Sequence, residues 1–492
     1  MIVSRDWAGK RYAVLGLARS GAATVSALLE GGASVVAWDS DPAKREAILP
    51  GTGRGTSEAG GGGVPQAAPF AEAPLRPQPA AGGPPPRAGE DLVIADLDTL
   101  DLSGFDALVL SPGVPLNTHP LAAAARAAGV PVIGDIELFA QARKDLPPHK
   151  VVGITGTNGK STTTALVHHI LKTAGVPTLM GGNIGLPILG QEPLPEGGVY
   201  VLELSSYQID LTQSLDCDVA VLLNITPDHL DRYGTFDNYR ASKLRLFKMM
   251  SPPHIGVLNW HTEQGHQLYR ALFETHPCEF WSNYDDNVED PYDLWGAFDT
   301  AGKPAARDHL STQKDWPSLQ GPHNAQNAIS AILATLALGV SEDVISVALT
   351  TFRGLPHRME WVAEWNGVAF VNDSKATNPE SAAPALGAFR RVHWIVGGKR
   401  KGDDLDACAA HLDHVVAAYT IGEAAPLFFD LLKDKVPVVE QSGTLEAAVA
   451  HAAVAAQPGD TVLLSPACAS FDQFRDYEAR GDAFRAAVEA LA

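Results

Sequence analysis

A strand, a glycine-rich turn and a helix follow one another at residues 151–175, and this succession restricts the possible fold more than any other feature. An apolar, β-branched run at 151–154 stops at a turn that ends in Gly-Lys-Ser, and a helix is predicted from Thr163 onward. Glycines let backbone N–H groups turn toward phosphate oxygens, and a helix N-terminus adds a partial positive charge. The turn therefore predicts a phosphate-binding loop, in which Lys160 reaches the β- and γ-phosphates and Ser161 offers a hydroxyl to Mg²⁺.

Length, charge and cysteine usage limit the class of protein. The chain has 492 residues, which is enough for about three domains. A net charge of −20 without any Lys/Arg-rich run argues against a nucleic-acid partner. The four cysteines show no Cys-x-x-Cys spacing, which is typical of a reducing cytoplasm and predicts no zinc site. With no signal-peptide pattern and no apolar run of membrane-spanning length, we expect a cytoplasmic monomer whose partners are small molecules.

Strands alternate with helical patterns almost throughout the chain, which predicts an α/β protein with mostly parallel sheets. Residues 51–90 are rich in Gly, Pro and Ala and predict a flexible insertion in the first domain. A second irregular stretch, at about 281–316, predicts a loop or small subdomain. We predict three domains with flanking helices, Rossmann-like at 1–148, a phosphate-loop domain at 149–353 and Rossmann-like again at 354–492.

The first predicted strand-to-helix turn, Gly16 to Gly21, is comparable to a dinucleotide-binding fingerprint. Asp39 lies at the end of the second predicted strand, where such folds place an acid. However, Ala18 stands where the second glycine belongs, so NAD is disfavoured. Two interpretations stay open: a turn that only packs a helix on a strand, or another phosphate-bearing ligand at the same helix N-terminus.

Two further residues at strand ends carry possible metal chemistry. Glu203 lies in an apolar run, and a buried acid is costly unless it is paired; beside a phosphate loop Mg²⁺ is its natural partner, although a carboxylate in solvent is the alternative. His229 follows an apolar strand at a position where α/β sheets place ligands. It is either a structural histidine or a contact to metal or phosphate, and its neighbours Asp228 and Asp231 leave both interpretations open.

Polar segments also occur in other parts of the chain. The helical run from Tyr239 to Arg245 is basic, and its composition predicts a solvent-exposed face. Two loops that follow predicted strands, 372–378 and 465–474, are more polar than ordinary turns and predict a small polar ligand. Cys468 in the second loop is expected to be a buried strand-end thiol rather than a nucleophile.

Three motifs together resemble the Mur ligases of peptidoglycan synthesis. They are Thr155-Gly156-Thr157-Asn158-Gly159-Lys160-Ser161-Thr162, Gly182-Asn183-Ile184-Gly185 and Glu203-Leu204-Ser205-Ser206. The stretches 354–358, 372–378 and 465–481 resemble the branch of this family that adds D-glutamate, and the Asp-Asn-Pro-Arg motif of the branch that adds diaminopimelate or lysine is absent. The resemblance covers nearly the whole chain except 51–90 and about 281–316.

The resemblance implies an ATP-dependent amide-bond ligase of peptidoglycan precursor synthesis, and thus a role in cell shape and division. The implied reaction joins D-glutamate to UDP-N-acetylmuramoyl-L-alanine and yields ADP and phosphate. The γ-phosphoryl group moves to the carboxylate, and the D-glutamate amine attacks the resulting acyl phosphate. Such an enzyme mainly positions reactants and neutralises charge. The alternatives are another ligase of the superfamily, such as the L-alanine-adding enzyme or a folylpolyglutamate synthase, and a nucleotide-binding regulator without catalysis.

The resemblance also implies roles for individual residues. The implied ATP site comprises Gly156, Thr157, Asn158, Gly159, Lys160, Ser161, Thr162, Asn324, Asn327, Arg358 and Asp373. The implied substrate contacts are Ser20, Asp39, Ser40 and Ser111 at the UDP end, Asn183 at the muramoyl group, and Lys375, Thr377, Lys401, Ser470 and Tyr477 around D-glutamate. The implied catalytic residues are Lys160, His229 and Lys243, and two Mg²⁺ ions are implied at Ser161, Glu203, His229 and Lys243. The lysine matching Lys243 is carbamylated in the family, which would turn a repelled cation into an oxygen ligand.

Overall fold

The structure is a computed structural model, and the described residues are 1–48, 91–114, 119–258, 277–282, 297–298, 304–306, 313–400 and 402–491. The insertion predicted at 51–90 and Lys401 lie outside the described residues, as does most of the irregular stretch at about 281–316. Within the described ranges, no helix combines the length and the apolar content needed to cross a membrane.

Three sheets of five, eight and six strands form the framework. The five-stranded sheet is entirely parallel, whereas the other two carry antiparallel pairs only at one edge. Helices flank all three sheets. The predicted fold class, α/β with mostly parallel sheets, is therefore confirmed.

The first sheet has the strand order β3-β2-β1-β4-β5, so the order reverses between β1 and β4. Ligands of open α/β sheets bind at the carboxyl ends of the strands beside such a reversal. The elements are β1 (Arg11–Leu15), α1 (Arg19–Glu30), β2 (Ser34–Trp38), α2 (Pro42–Ala47), β3 (Leu92–Ile94), β4 (Ala107–Leu110), α3 (Pro120–Ala127), β5 (Val132–Ile133) and α4 (Asp135–Ala142).

The second sheet has the order β13-β12-β11-β10-β9-β6-β8-β7. Its strands are β6 (His149–Thr155), β7 (Thr178–Gly182), β8 (Gly198–Glu203), β9 (Val219–Leu222), β10 (Ile255–Leu258), β11 (Glu279–Ser282), β12 (Ala297–Phe298) and β13 (Pro304–Ala306). Its helices are α5 (Lys160–Thr173), α6 (Ser206–Asp210), α7 (Leu230–Tyr233), α8 (Phe236–Lys248), α9 (Pro322–Ala337) and α10 (Glu342–Thr351).

The third sheet has the order β14-β15-β19-β16-β17-β18. Its strands are β14 (Glu360–Trp365), β15 (Val368–Asn372), β16 (Val392–Gly397), β17 (Val415–Ile421), β18 (Val439–Gly443) and β19 (Thr461–Leu464). Its helices are α11 (Pro379–Gly387), α12 (Ala425–Leu432), α13 (Leu445–Ala455) and α14 (Tyr477–Glu489). Short 3-10 helices occur at Arg5–Trp7, Leu97–Thr99, Arg143–Asp145, Ile188–Gly190, Gln313–Asp315 and Asp406–His414.

The strand before the phosphate loop and the helix after it are packed together in one apolar core. Val152 and Ile154 of β6 are fully buried in one apolar cluster with Leu166 and Ile170 of α5. Parallel strands that are covered by helices on both faces have nearly continuous apolar sequences, as β6 does at 151–154. Helix α5 begins at Lys160 rather than at the predicted Thr163, because the left-handed Gly159 precedes it and lets the chain enter the first turn directly.

The chain groups into two compact units, each of which is described by itself. The first unit comprises residues 1–146 together with 187–193 and 211–214, and the second comprises the remainder, including both larger sheets. The domain limits at 148 and 353 stay predictions. Within the first unit, Glu137 is 4% exposed and accepts hydrogen bonds from the amides of Gln213 and Ser214 and from the Ser214 hydroxyl, at 2.6, 2.9 and 2.7 Å. This carboxylate therefore holds residues 211–214 within the first unit.

We expect Glu137→Ala to lower the free energy of unfolding by about 2 kcal/mol, because it leaves three donors without their acceptor. Thermal unfolding should show a clear fall in Tm. Glu30→Ala, at the exposed end of α1, is the matched control and should change the free energy by less than about 0.5 kcal/mol. Equal effects of the two substitutions would contradict the role of Glu137.

Candidate active site

The phosphate loop owes its shape to two glycines with positive φ. Gly156 has φ 157° and Gly159 has φ 83°, and the latter is the residue just before α5. A Cβ atom on Gly159 would lie 2.1 Å from Oδ1 of Asn327 on α9, so only glycine fits at this position. The N–H groups of the first turn of α5 have no partners within the helix, as at any helix start, and are suited to an anion.

Asn224, a residue to which the sequence analysis assigns no role, holds this loop in place through its side chain. Its Oδ1 accepts hydrogen bonds from the amides of Thr157 and Asn158 at 3.1 and 2.9 Å, and its Nδ2 donates to the carbonyl of Asn158 at 3.1 Å. The Thr157 hydroxyl completes the brace by accepting from the Thr226 amide at 3.0 Å. The position of Asn224 just after a strand was the only available signal, because the partners come from a distant part of the sequence.

Two lysine ammonium groups meet at the same carbonyl of the loop. Lys160 donates to the carbonyls of Gly156 at 3.1 Å and Thr157 at 2.8 Å, and Lys243 of α8 donates to Gly156 at 2.8 Å. Lys243 is only 1% exposed, and Tyr239 of the same helix is equally buried. The prediction of a solvent-exposed face at residues 239–245 is therefore wrong, because helical spacing places these side chains on one inward face.

The burial of these cations changes their acidity. Burial lowers the pKa of Lys160, although the charges of Glu203 and Asp228 oppose the change. Burial, reinforced by the charge of Lys160, lowers the pKa of Lys243 to about 7. The local field therefore disfavours two ammonium groups side by side, and part of the Lys243 population is a neutral amine near neutral pH.

Glu203 lies at the end of β8 and is 2% exposed, so the alternative of a carboxylate in solvent is wrong. Its Oε1 accepts a hydrogen bond from Nδ2 of Asn183 at 2.8 Å. Its Oε2 is buried and has no hydrogen-bond partner among the described residues. Gly182 lets the backbone of β7 pass close to the end of β8, because a Cβ atom at this position would lie 2.1 Å from the Glu203 carbonyl oxygen.

His229 begins α7 with a left-handed backbone, φ 51°, and its side chain is 44% exposed. Its Nδ1 lies 3.0 Å from the Tyr207 hydroxyl, and its Nε2 lies 3.5 Å from a carboxylate oxygen of Asp228. Its ring also lies 6.2 Å from that of Tyr239, which in turn lies beneath the Lys243 ammonium at 4.7 Å. His229 is therefore an accessible side chain close to the buried lysine.

A cavity of about 550 Å³ extends from the phosphate loop to the third sheet, within the second compact unit. The predicted site residues that line it are Asn158, Gly159, Thr162, Asn324, Asn327, Arg358, Asp373 and Lys375. His323, which was not predicted, also lines the cavity, and burial lowers its pKa to about 4, so it is neutral at physiological pH. The cavity thus brings together seven of the eleven residues predicted for ATP, whereas Gly156, Thr157, Lys160 and Ser161 are not part of its lining.

The two polar loops of the third sheet are joined by Arg480, another residue that sequence reasoning did not single out. Arg480 is 1% exposed and donates to the hydroxyl and carbonyl of Ser374 and to the carbonyls of Cys468 and Ala469. The ammonium of Lys375 lies 3.8 Å from the centroid of the Tyr477 ring. The thiol of Cys468 is buried, as predicted.

The remaining predicted residues around these loops differ in their exposure. Burial raises the pKa of Asp373 to about 7, while its Oδ2 accepts from the Ser465 hydroxyl at 2.8 Å. Thr377 is half-buried and Ser470 is 2% exposed. The Ser470 side chain is therefore covered in this conformation, whereas Lys375 faces the cavity.

The predicted residues of the first unit lie at the carboxyl ends of β1, β2 and β4. The Ser111 hydroxyl donates to the Gly16 carbonyl at 2.8 Å, and Ser20 lies in the first turn of α1. Asp39 is 7% exposed, whereas Ser40 beside it is exposed. These residues therefore share the edge at which the strand order reverses.

Metal chemistry at the second sheet would need ligands beyond the protein's acids and histidines. In the part of the chain that the structure describes, no three His, Cys, Asp or Glu side chains converge as a metal site. Of the predicted metal ligands, Glu203 and His229 would supply two such donors, and Ser161 would add a hydroxyl. Phosphate oxygens of a bound nucleotide commonly complete Mg²⁺ sites of this kind.

Comparison with known proteins agrees with this geometry. Residues 154–335 match the family model for the Mur ligase middle domain, and residues 357–468 match that for the Mur ligase glutamate ligase domain. A protein from Novosphingobium aromaticivorans named UDP-N-acetylmuramoylalanine–D-glutamate ligase is 57% identical over 100% of this chain and 97% of its own length. A protein of the same name from Sphingopyxis alaskensis is 53% identical over 100% of both chains. The chain belongs to the Mur ligase family.

Solved structures support the fold. A UDP-N-acetylmuramoyl-L-alanyl-D-glutamate–2,6-diaminopimelate ligase has a TM-score of 0.52 at 20% identity, covering 80% of this chain and 93% of its own. The UDP-N-acetylmuramate–alanine ligase of Thermotoga maritima has a TM-score of 0.50 at 15% identity, covering 98% and 100%. At such identities the likeness establishes the fold alone.

We expect Gly159→Ala to weaken ATP binding at least about tenfold, because the new methyl group would displace Asn327 and strain a left-handed residue. Gly175→Ala is the matched control, since Gly175 has φ 73° and nothing lies within 4 Å of its added Cβ. The control should lose a little stability but keep its ATP affinity. Calorimetric titration with ATP checks both variants, and equal affinities would contradict the steric argument.

Proposed function

We propose that this protein joins D-glutamate to UDP-N-acetylmuramoyl-L-alanine at the expense of ATP, which becomes ADP and phosphate. The observation that carries the proposal is the single cavity that the phosphate loop shares with Arg358, Asp373 and Lys375. A nucleotide bound there would have its γ-phosphate close to the loop that holds an incoming amino acid. The names of the full-length relatives specify the same pair of substrates.

ATP would lie along the cavity with its phosphates on the loop. The amides of the first turn of α5 and the Lys160 ammonium would neutralise the β- and γ-phosphates. Asn324 and Asn327 would line the nucleotide on one side, and Arg358 on the other. Asp373 would accept a hydrogen bond from a ribose hydroxyl when it is ionised, or donate one to a ribose oxygen when it is protonated.

The reaction needs activation because a carboxylate is a poor electrophile. The L-alanine carboxylate of the substrate attacks the γ-phosphorus of ATP, ADP leaves, and an acyl phosphate forms. The amine of D-glutamate then attacks the acyl carbon, loses a proton, and phosphate leaves as the amide forms. Lys160 and the accessible His229 would stabilise the transferring phosphoryl group, so that charge neutralisation and alignment would supply the catalysis.

The residues present fit two Mg²⁺ ions if Lys243 is modified. The buried, unpartnered Oε2 of Glu203 and the Ser161 hydroxyl are oxygen donors, the kind that Mg²⁺ prefers, and the His229 ring would add a nitrogen donor. Mg²⁺ would supply electrostatic stabilisation of the phosphate oxygens. A pKa of about 7 allows the neutral Lys243 amine to add CO₂ with loss of one proton. The resulting carbamate would replace a repelled cation by an anionic oxygen ligand.

D-Glutamate would be held by the loops that Arg480 joins. Lys375, Thr377, Ser470 and Tyr477 offer one cation and three hydroxyl groups, and Lys401 would add a second cation. Asn183, fixed by its hydrogen bond to Glu203, would contact the muramoyl part of the other substrate. Ser20, Asp39, Ser40 and Ser111 would serve its UDP end. We further propose that the enzyme acts as a monomer in the cytoplasm, where ATP and its nucleotide-linked substrate are made.

A single assay tests the proposed reaction. Phosphate release with ATP, Mg²⁺ and UDP-N-acetylmuramoyl-L-alanine should require D-glutamate, and mass spectrometry should detect the amide product. L-Glutamate should react at least about 100-fold more slowly, because hydrogen-bonding pockets reject a misplaced polar group strongly. Faster turnover with another amino acid would favour a different ligase, and phosphate release that needs no amino acid would refute the ligase proposal.

We expect Lys243→Ala to lose about 10²–10³ in kcat, because it removes one charged group from the reacting centre. Acetate at high concentration should restore part of the rate by filling the space with an anion. Lys243→Arg cannot form a carbamate and should be inactive with or without acetate. Steady-state rates at saturating substrates measure all three cases.

Lys248→Ala is the matched control for this series, since Lys248 is exposed on the same helix. It should keep wild-type kcat and show no response to acetate. A fully active Lys243→Ala enzyme would refute the carbamate proposal. Loss of activity without any rescue by acetate, formate or propionate would count against an anionic role.

A further inference from the structure

The side chain of Asp39 links two turns at the nucleotide edge of the first sheet. Its Oδ2 accepts a hydrogen bond from the Leu17 amide at 2.7 Å, and its Oδ1 accepts one from the Asp41 amide at 2.9 Å. Burial raises its pKa, but these two hydrogen bonds and the Lys44 ammonium outweigh burial, so the net pKa is lower than usual. Asp39 is therefore an ionised link between the turn after β1 and the turn after β2.

Arg45 of α2 holds the same turn from the other side. Its Nη1 donates to the carbonyl oxygen of Asp39 at 2.7 Å and lies 3.4 Å from that of Ser40. Its guanidinium carbon lies 4.2 Å from the centroid of the Trp38 ring, which fixes the plane of the donor group. The backbone at Asp39 and Ser40 is thus held by one charged side chain that an aromatic ring keeps in place.

This turn occupies the position where a nucleotide is expected. Strand β2 is the neighbour of β1, and the strand order reverses on the other side of β1. In sheets of this kind, phosphates bind at the first turn, and the residue at the end of the second strand faces the sugar and base. Ser40 is exposed at this point. A shift of its backbone would therefore change its contacts with a bound uridine.

We propose that Arg45 is a positioning residue for the uridine end of the UDP-linked substrate. It acts through the Asp39–Ser40 turn, and the Trp38 ring acts through Arg45. This inference rests on the proposed function, because it takes the nucleotide of the first unit to be UDP. Because Arg45 acts only through this turn, we expect it to affect the affinity for the UDP-linked substrate and not the rate of the chemical step.

Arg45→Met keeps an unbranched, mostly apolar stem but removes the guanidinium, and with it the hydrogen bonds and the charge. Calorimetric titration should show that Kd for UDP rises about 5- to 20-fold, as expected for the loss of charge-assisted hydrogen bonds. The KM for UDP-N-acetylmuramoyl-L-alanine should rise by the same factor. The kcat and the KM values for ATP and D-glutamate should stay within about twofold of wild type.

Substitutions at Trp38 test the order of action. Trp38→Phe retains an aromatic face and should keep nearly wild-type affinity for UDP, whereas Trp38→Leu should lose part of it. The double variant with Trp38→Leu and Arg45→Met should be no weaker than Arg45→Met alone, because the ring acts only through the guanidinium. Arg126→Met, on an exposed position of α3, is the matched control and should bind UDP as wild type does.

Two results would overturn the inference. One is an unchanged Kd for UDP in a folded Arg45→Met protein. The other is a parallel loss of UDP affinity, ATP affinity and Tm, which would assign Arg45 a general structural role. Direct titration with UDP does not depend on turnover. A wild-type protein that binds UDP but forms no amide would therefore refute the proposed reaction, while the Arg45 comparison would still decide this inference.

Discussion

The carbonyl oxygen of Gly156 accepts hydrogen bonds from two lysine ammonium groups, and the arrangement of the central site follows from this contact. A phosphate loop must aim its N–H groups at the ligand, so its carbonyls need other donors. Lys160 and Lys243 supply these donors from α5 and α8, while Asn224 holds the loop amides at 157 and 158. These contacts hold the loop in its shape, and the positive φ angles of Gly156 and Gly159 allow that shape.

The same contact brings two positively charged groups together, and nearby carboxylates offset their repulsion only in part. Two lysine ammonium groups share one carbonyl oxygen, and the buried carboxylate of Glu203, whose charge acts on Lys160, has one oxygen with no partner among the described residues. Burial and the charge of Lys160 lower the pKa of Lys243 to about 7. In the proposed state, a carbamate and bound Mg²⁺ would balance the charges of the ATP phosphates. The unusual burial of Lys243 would then be a requirement of the chemistry rather than of the fold.

The third sheet shows a different way of building a site. Its two polar loops follow β15 and β19, which are adjacent and parallel, so their carboxyl ends meet. Arg480 lies between the loops and satisfies carbonyls from both, although burial lowers its pKa to about 10. A buried guanidinium that is paired with backbone oxygens holds the two loops together, and its hydrogen bonds within the described residues include no carboxylate. Lys375 then projects into the cavity from a rigid base.

The sequence alone determined the α/β class and the phosphate loop, because strand periodicity and glycine spacing are local properties of the chain. The strands Arg11–Leu15 and Thr461–Leu464 coincide with apolar runs of the sequence, and the acid at Glu203 was recognisable from its apolar neighbours as costly to bury. Tertiary structure alone decided the roles of Asn224 and Arg480, since their partners are far away in the sequence. It also decided the environment of Lys243. The basic composition of this helix predicts that it is exposed to solvent. Only its packing against the phosphate loop shows which of its faces is buried.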